Sequence, residues 1–212
     1  MRLLKGINLC LCWLGMLSCE TPEQSGLLQE NSTTRLIKVE PALSPEALVL
    51  RNKIAQRIGL QKAIDKAPKE QVQTINFACS AQSGGLVAYI REEQALQGLR
   101  LSLSQERGCR STQWYYQDKK TIALVTHEQS QWQGDQEHIE QTVFYVEEHK
   151  ILQVLHRVVQ ASPRRLEVIL EQTPFERVRT TSQEALWAQL QVDEQQLLST
   201  EEQPKDAVHF CP

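Results

Sequence analysis

Residues 114–125 read Trp-Tyr-Tyr-Gln-Asp-Lys-Lys-Thr-Ile-Ala-Leu-Val, and residues 143–154 read Val-Phe-Tyr-Val-Glu-Glu-His-Lys-Ile-Leu-Gln-Val. Laid over one another, they place Tyr116 on Tyr145, Ile122 on Ile151 and Val125 on Val154. Each copy is an aromatic run, a charged cluster and an aliphatic run, the pattern of two strands joined by a turn. A weaker copy lies upstream: Leu86-Val-Ala-Tyr89, a charged turn, then Ala95-Leu96. The tyrosines stand 27 and 29 positions apart, and self-similarity at such a period is read as repeated structure before anything else. One hairpin is marginal in water, whereas several side by side share an apolar face.

Working outward, Leu99, Leu101 and Leu103 alternate with Arg100, Ser102 and Ser104, the period-two signature of a strand with one wet face. Short β-rich runs recur at Leu86–Ile90, Trp114–Tyr116, Ile122–Val125, Val143–Val146, Ile151–Leu155 and Leu166–Leu170, separated by polar clusters. An antiparallel meander over Val72–Glu171 follows. Ser44-Pro45-Glu46 starts a helix, with a capping hydroxyl, Pro in the first turn and an acid at the positive end of the dipole. Ala47, Leu50, Ile54, Ile58 and Ile64 recur along it, and Arg51, Lys53, Arg57, Lys62 and Lys66 read as its solvated face. Pro68 ends it. Thr181 with Glu184 reads as a capping box opening a second helix over Ser182–Ser199. The expected fold class is α+β: an antiparallel β-meander of repeated hairpins flanked by an N-terminal and a C-terminal helix, one domain over residues 44–200, with a C-terminal tail at 201–212.

The Trp-Tyr-Tyr-Gln-Asp-Lys-Lys-Thr-Ile-Ala hairpin resembles the Tyr-Tyr-x-Asp-x-Lys-x-Ile hairpin repeats of uncharacterised secreted lipoproteins from Gram-negative bacteria, over about residues 84–157. The resemblance brings no catalytic residues. Those proteins carry Gly before the Lys, where this chain has Lys119 and His149, which argues against a tight glycine-type turn.

The N-terminus points the same way. Arg2 and Lys5 precede an apolar stretch from Ile7 to Leu17, the layout of a secretory signal peptide at residues 1–18. Met16-Leu17-Ser18-Cys19 resembles the bacterial lipobox, in which the Cys thiol receives a diacylglycerol and becomes the new N-terminus; Cys19 is the lipidation site that this implies. An ordinary signal peptide or a buried apolar helix are the other readings of the same residues. Residues 19–43 would be the lipidated N-terminus and a polar tether. Loss of residues 1–18 removes two cations and no acid from a chain of net charge −3, so anchoring would rest on acyl chains rather than a polybasic patch.

Of the six cysteines, Cys10 and Cys12 leave with the signal peptide, and Cys79, Cys109 and Cys211 remain for an oxidising compartment. Cys79 and Cys109, both beside expected strands, form the expected disulfide, with pairings to Cys211 as alternatives. With 212 residues, 41% apolar and 23% charged, the chain is an ordinary globular one, and its net charge offers no case for nucleic acid. It has no Gly-x-Ser-x-Gly, Gly-x-Gly-x-x-Gly, Walker loop or His-Glu-x-x-His. His127 and His156 each follow a repeat tyrosine by eleven residues, but no His-x-His or His-x₃-His spacing supports a metal, and no metal or cofactor is expected.

The three repeat tyrosines, Tyr89, Tyr116 and Tyr145, would form a ladder on one face of the sheet. That ladder is either core, with Tyr115 and Phe144 pointing the other way, or, together with Trp114, an aromatic binding surface. The expected function is that of an exported lipoprotein, membrane-anchored in the bacterial envelope, acting without catalysis as a binding or interaction module. Its partners would be the membrane, through the N-terminal lipid, and a protein or small molecule. The alternatives are a carrier with a cavity between sheet and helix, a hydrolase without a recognisable motif, and a purely structural envelope protein.

Overall fold

The computed structural model describes residues 44–79, 83–118 and 121–200. Helix α1 (Pro45–Asp65) is followed by strands β1 (Val72–Ala78), β2 (Gly84–Glu92), β3 (Ala95–Gln105), β4 (Gly108–Gln117), β5 (Thr121–Gln133), β6 (Gln136–Glu147) and β7 (Lys150–Ala161). Helix α2 (Pro163–Gln172), strand β8 (Glu176–Val178) and helix α3 (Glu184–Thr200) complete it. The eight strands form one sheet in sequence order, every neighbouring pair antiparallel. The protein is therefore an α+β antiparallel meander flanked by an N-terminal and a C-terminal helix. The segments expected to be a signal peptide and a tether, Cys19, Lys119 and residues 201–212 with Cys211 lie outside the described residues.

Tyr89, Leu99, Trp114, Val125, Phe144, Val154 and Val178 stand directly opposite one another in one row across seven strands. They form the floor on which Trp187, Leu190 and Leu197 of α3 pack, with the Trp187 and Phe144 ring centres 5.2 Å apart. The neighbouring row on the other face, Ile90, Gly98, Tyr115, Leu124 and Tyr145, receives α1 through Ile64, Ile54 and Ile58. Gly98 makes room for this docking, since a Cβ there would lie 2.9 Å from Ile64 Cγ2.

The tyrosine ladder needs correcting. Tyr89, Tyr115, Tyr116 and Tyr145 are all buried, as is Trp114, so they are core and present no aromatic binding surface. Tyr89 and Tyr116 face α3, but Tyr145 faces α1 beside Tyr115, and Phe144 joins the α3 side. The reason is the turn. Hairpin β4–β5 holds three residues between Gln117 and Thr121, whereas β6–β7 holds two between Glu147 and Lys150. The copies therefore coincide after the turn and slip by one residue before it, and a slip of one reverses the face. Tyr115, rather than Tyr116, is the counterpart of Tyr145.

Each repeat hairpin also carries a β-bulge at the same height. Gln97, Ala123 and Leu152 are the extra residues opposite Ile90-Arg91, Tyr115-Tyr116 and Tyr145-Val146. A bulge breaks the ladder and leaves backbone groups to be satisfied elsewhere. Arg57 does this: its Nε donates to Ala123 O at 3.1 Å and Val146 O at 2.7 Å, and Nη1 donates to Lys53 O at 3.0 Å. From the sequence Arg57 reads as solvated, but it is buried on α1. At the other end of α1, Asp65 Oδ1 accepts from Gln113 Nε2 and Tyr115 OH, each at 3.0 Å.

The turns are tighter than the missing glycines suggest. Glu93 and Gln94 have φ of 48° and 68°, and Glu148 and His149 have 47° and 66°. These are the positive values of a two-residue primed turn, which matches the twist of the flanking strands. Non-glycine residues hold them at a cost of about 1–2 kcal/mol each, offset by sheet packing.

Three further expectations change. Leu166–Leu170 is no strand but part of α2, which Ser162-Pro163 opens with the same dipeptide that opens α1. Thr181 lies inside a short 3₁₀ turn, Thr180–Gln183, that leads into α3 rather than capping it. Cys79 and Cys109 are not joined. Cys79 follows β1 and Cys109 lies on β4, so three strand spacings, ~14 Å, separate them, twice what a disulfide spans. The Cys109 thiol instead lies 3.2 Å from Ser130 Oγ.

Because Tyr115 and Tyr116 are packed on opposite faces, Tyr115→Ala and Tyr116→Ala should each cost about 3–5 kcal/mol of unfolding free energy in urea titrations. A loss under about 1 kcal/mol for either would place that ring outside the core.

Candidate functional site

On the α3 face, polar rows succeed the apolar one. The first runs Thr112, His127, Thr142, His156 and Glu176 across β4 to β8. The second is Arg110, Gln129 and Glu140, and the third Gln131, His138 and Gln160. Burial falls from the first row to the third: Thr112, His127 and Thr142 are buried, and Gln131 and Gln160 are exposed. The result is a polar shelf extending from the apolar row under α3 towards the β5–β6 turn.

At the junction of helix and shelf, Asp193 of α3 is buried and its Oδ2 lies 3.6 Å from Arg110 Nη2. Gln189 Nε2 donates to Asp193 Oδ1 at 2.7 Å. Arg110 Nε, Trp114 Nε1 and Asp193 Oδ2 are buried polar atoms with no hydrogen-bond partner among the described residues. Such atoms are uncommon in folded proteins and mark this junction as electrostatically costly. Beside Arg110, burial foremost and the guanidinium second push the His127 imidazole down to about 4. At the next residue of α3, Tyr116 OH donates to Glu194 Oε1 at 2.8 Å, and burial raises the Glu194 carboxyl.

His127 and His156, aligned by the repeat, do share a row, but Thr142 stands between them. Two strand spacings keep them ~9.5 Å apart, too far to share one ion. Among the described residues no group of three His, Cys, Asp or Glu is placed to hold a metal. Each imidazole is instead tied to a threonine: Thr112 Oγ1 lies 2.9 Å from His127 Nδ1 and Thr142 Oγ1 lies 3.1 Å from His156 Nδ1. His156 Nε2 lies 3.8 Å from Glu140 Oε1. A hydroxyl, an imidazole and a carboxylate in line are the parts of a nucleophile–base pair. Here Thr142 is 1% exposed in mid-sheet, so its oxygen cannot reach a substrate, and the pairs serve to satisfy buried polar groups.

Thr112 and Thr142 escape sequence reading because their strands run well past the apolar runs that announce them. A signal exists: His127 and Thr142 are equidistant from the Gly134-Asp135 turn, which fixes them opposite one another.

The His127 environment sets a pH dependence. The folded-state value is about 4 against 6.5 unfolded, so between these values the unfolded chain binds the extra proton and stability falls as pH falls. This histidine should remove up to about 3 kcal/mol between pH 7 and 4. Asp65 and Glu194, both raised by burial, act in the opposite direction. The measurement is therefore the difference between wild type and His127→Asn in urea unfolding at each pH. The variant should lose this component, and parallel curves would contradict it.

No family model, curated protein or solved structure matches this chain.

Proposed function

We propose that this protein is a binding module of the bacterial envelope, anchored to the membrane by a lipid on Cys19 and presenting the polar shelf of β5 to β7 to a partner. The reading of the anchor rests on the signal layout and Met16-Leu17-Ser18-Cys19. The observation that carries the binding role is the shelf: Gln129, Gln131, His138, Glu140 and Gln160 set donors and acceptors in register on a rigid sheet. Rigid elements hold such groups in place with little entropy left to lose on binding.

The carrier reading finds less support, because the apolar rows on the two faces of the sheet are packed by side chains of α3 and α1. The hydrolase reading likewise lacks a reachable nucleophile in the threonine–histidine row.

Cys19→Ser should abolish incorporation of a labelled fatty acid and move the protein from the membrane to the soluble fraction. Retention of label would sink the anchor. In the same cells, a photo-crosslinking residue at Gln131 should give a discrete adduct that is lost on His138→Ala, whereas one at Val168 on exposed α2 should give none. Equal labelling from both positions would remove the shelf as the binding surface.

A further inference from the structure

Strand β8 pairs with β7 only at Val154, Leu155 and His156, and β7 begins four residues earlier at Lys150. The chain beyond β8 peels away from that edge, leaving a groove of about 330 Å³ whose lining includes Leu152, Gln153, Arg177, Arg179 and Thr180. Leu152 is the bulge residue of β7, so the groove opens where the ladder is already broken.

Two arginines dominate it. Arg177 lies in β8, and Arg179 follows in extended conformation, so the two share one side of the segment while Val178 turns to the core. Glu176, which stands opposite His156, points with Val178 to the other face. Both guanidinium groups are exposed, and neither has an ion pair or hydrogen bond among the described residues. Arg57, Arg100, Arg110 and Arg157, by contrast, are engaged with Glu147, Asp65, Asp193 and the carbonyls of Leu170 and Thr173. Arg177 and Arg179 thus set two unpaired cations beside an apolar bulge.

We infer that this groove docks a short acidic peptide segment of a partner protein, whose carboxylates lie against Arg177 and Arg179 and whose neighbouring apolar side chain rests on Leu152. Guanidinium and carboxylate match in planar, two-bond geometry, which gives orientation as well as attraction. An acidic peptide fits better than an anionic lipid surface because Arg177 and Arg179 lie two residues apart on one side of an extended segment, the spacing at which alternate side chains of an extended peptide also stand. The site is separate from the shelf on the α3 face, so the fate of either leaves the other standing.

The test uses the full-length protein and a dye-labelled pentapeptide, Leu-Glu-Leu-Glu-Leu, with Leu-Gln-Leu-Gln-Leu as its neutral counterpart, followed by fluorescence anisotropy. The Glu peptide should bind at least ten-fold tighter than the Gln peptide. Arg177→Gln with Arg179→Gln should remove that preference, whereas Arg164→Gln with Arg165→Gln, an equal charge change on exposed α2, should keep it. Thermal melts of both double variants check that the fold is retained, and a single Arg179→Gln variant, beyond β8, carries the test if the first pair is unstable. Equal binding of the two peptides, or equal loss in both double variants, overturns the proposal. So does arginine-dependent binding to phosphatidylglycerol vesicles without binding of the Glu peptide.

Discussion

The structure depends on one cross-strand row. From Tyr89 to Val178, seven side chains stand opposite one another on consecutive strands, and all of them meet α3 or its neighbours. Side chains on a strand alternate in facing, so fixing this row fixes every other residue of the sheet. The next residue along each strand must face α1, which places Tyr115, Leu124 and Tyr145 in one second core. The residues two positions further along the strands must lie beyond α3's apolar stripe, which is where the threonine and histidine row falls.

The bulges tie these two cores together. Each repeat hairpin breaks its ladder at the same height, and Arg57 reaches from α1 to carbonyls at two of the breaks. A buried guanidinium is tolerable because backbone oxygens, Lys53 O and Glu147 compensate its lost hydration. The second of these breaks, the bulge at Leu152, also lies at the edge where β8 is short, and there the groove opens. The same local device thus secures a helix in the middle of the sheet and shapes a recess at its margin.

Electrostatics follow burial rather than composition. Arg57, Arg100 and Arg110 each meet a carboxylate at the rim of a core, which fixes where α1 and α3 cross the sheet. At Arg110 and Asp193 the match is incomplete, with buried polar atoms on both partners left without hydrogen bonds among the described residues, and the neighbouring imidazole is held neutral. The arginines of β8 and the residue after it lie outside both cores and stay exposed.

The sequence alone determined the class of fold, because period-two alternation and repeated charged turns are local signals that antiparallel strands must carry. It also placed the start of α1, since Ser44 and Pro45 act through the nearest backbone alone, and Ser44 Oγ does accept from Ala47 N. The same Ser-Pro pair at Ser162 was legible and would have identified α2. What only the tertiary structure decided was facing and pairing. One extra residue in the β4–β5 turn reversed Tyr116 relative to Tyr145, and nothing local to either tyrosine reports the length of a turn's loop in space. Strand order put Cys79 and Cys109 three strands apart, although their thirty-residue separation in the chain is compatible with contact. The threonine–histidine row and the arginine groove are likewise products of register and of a short edge strand, distances through space that no run of neighbouring residues encodes.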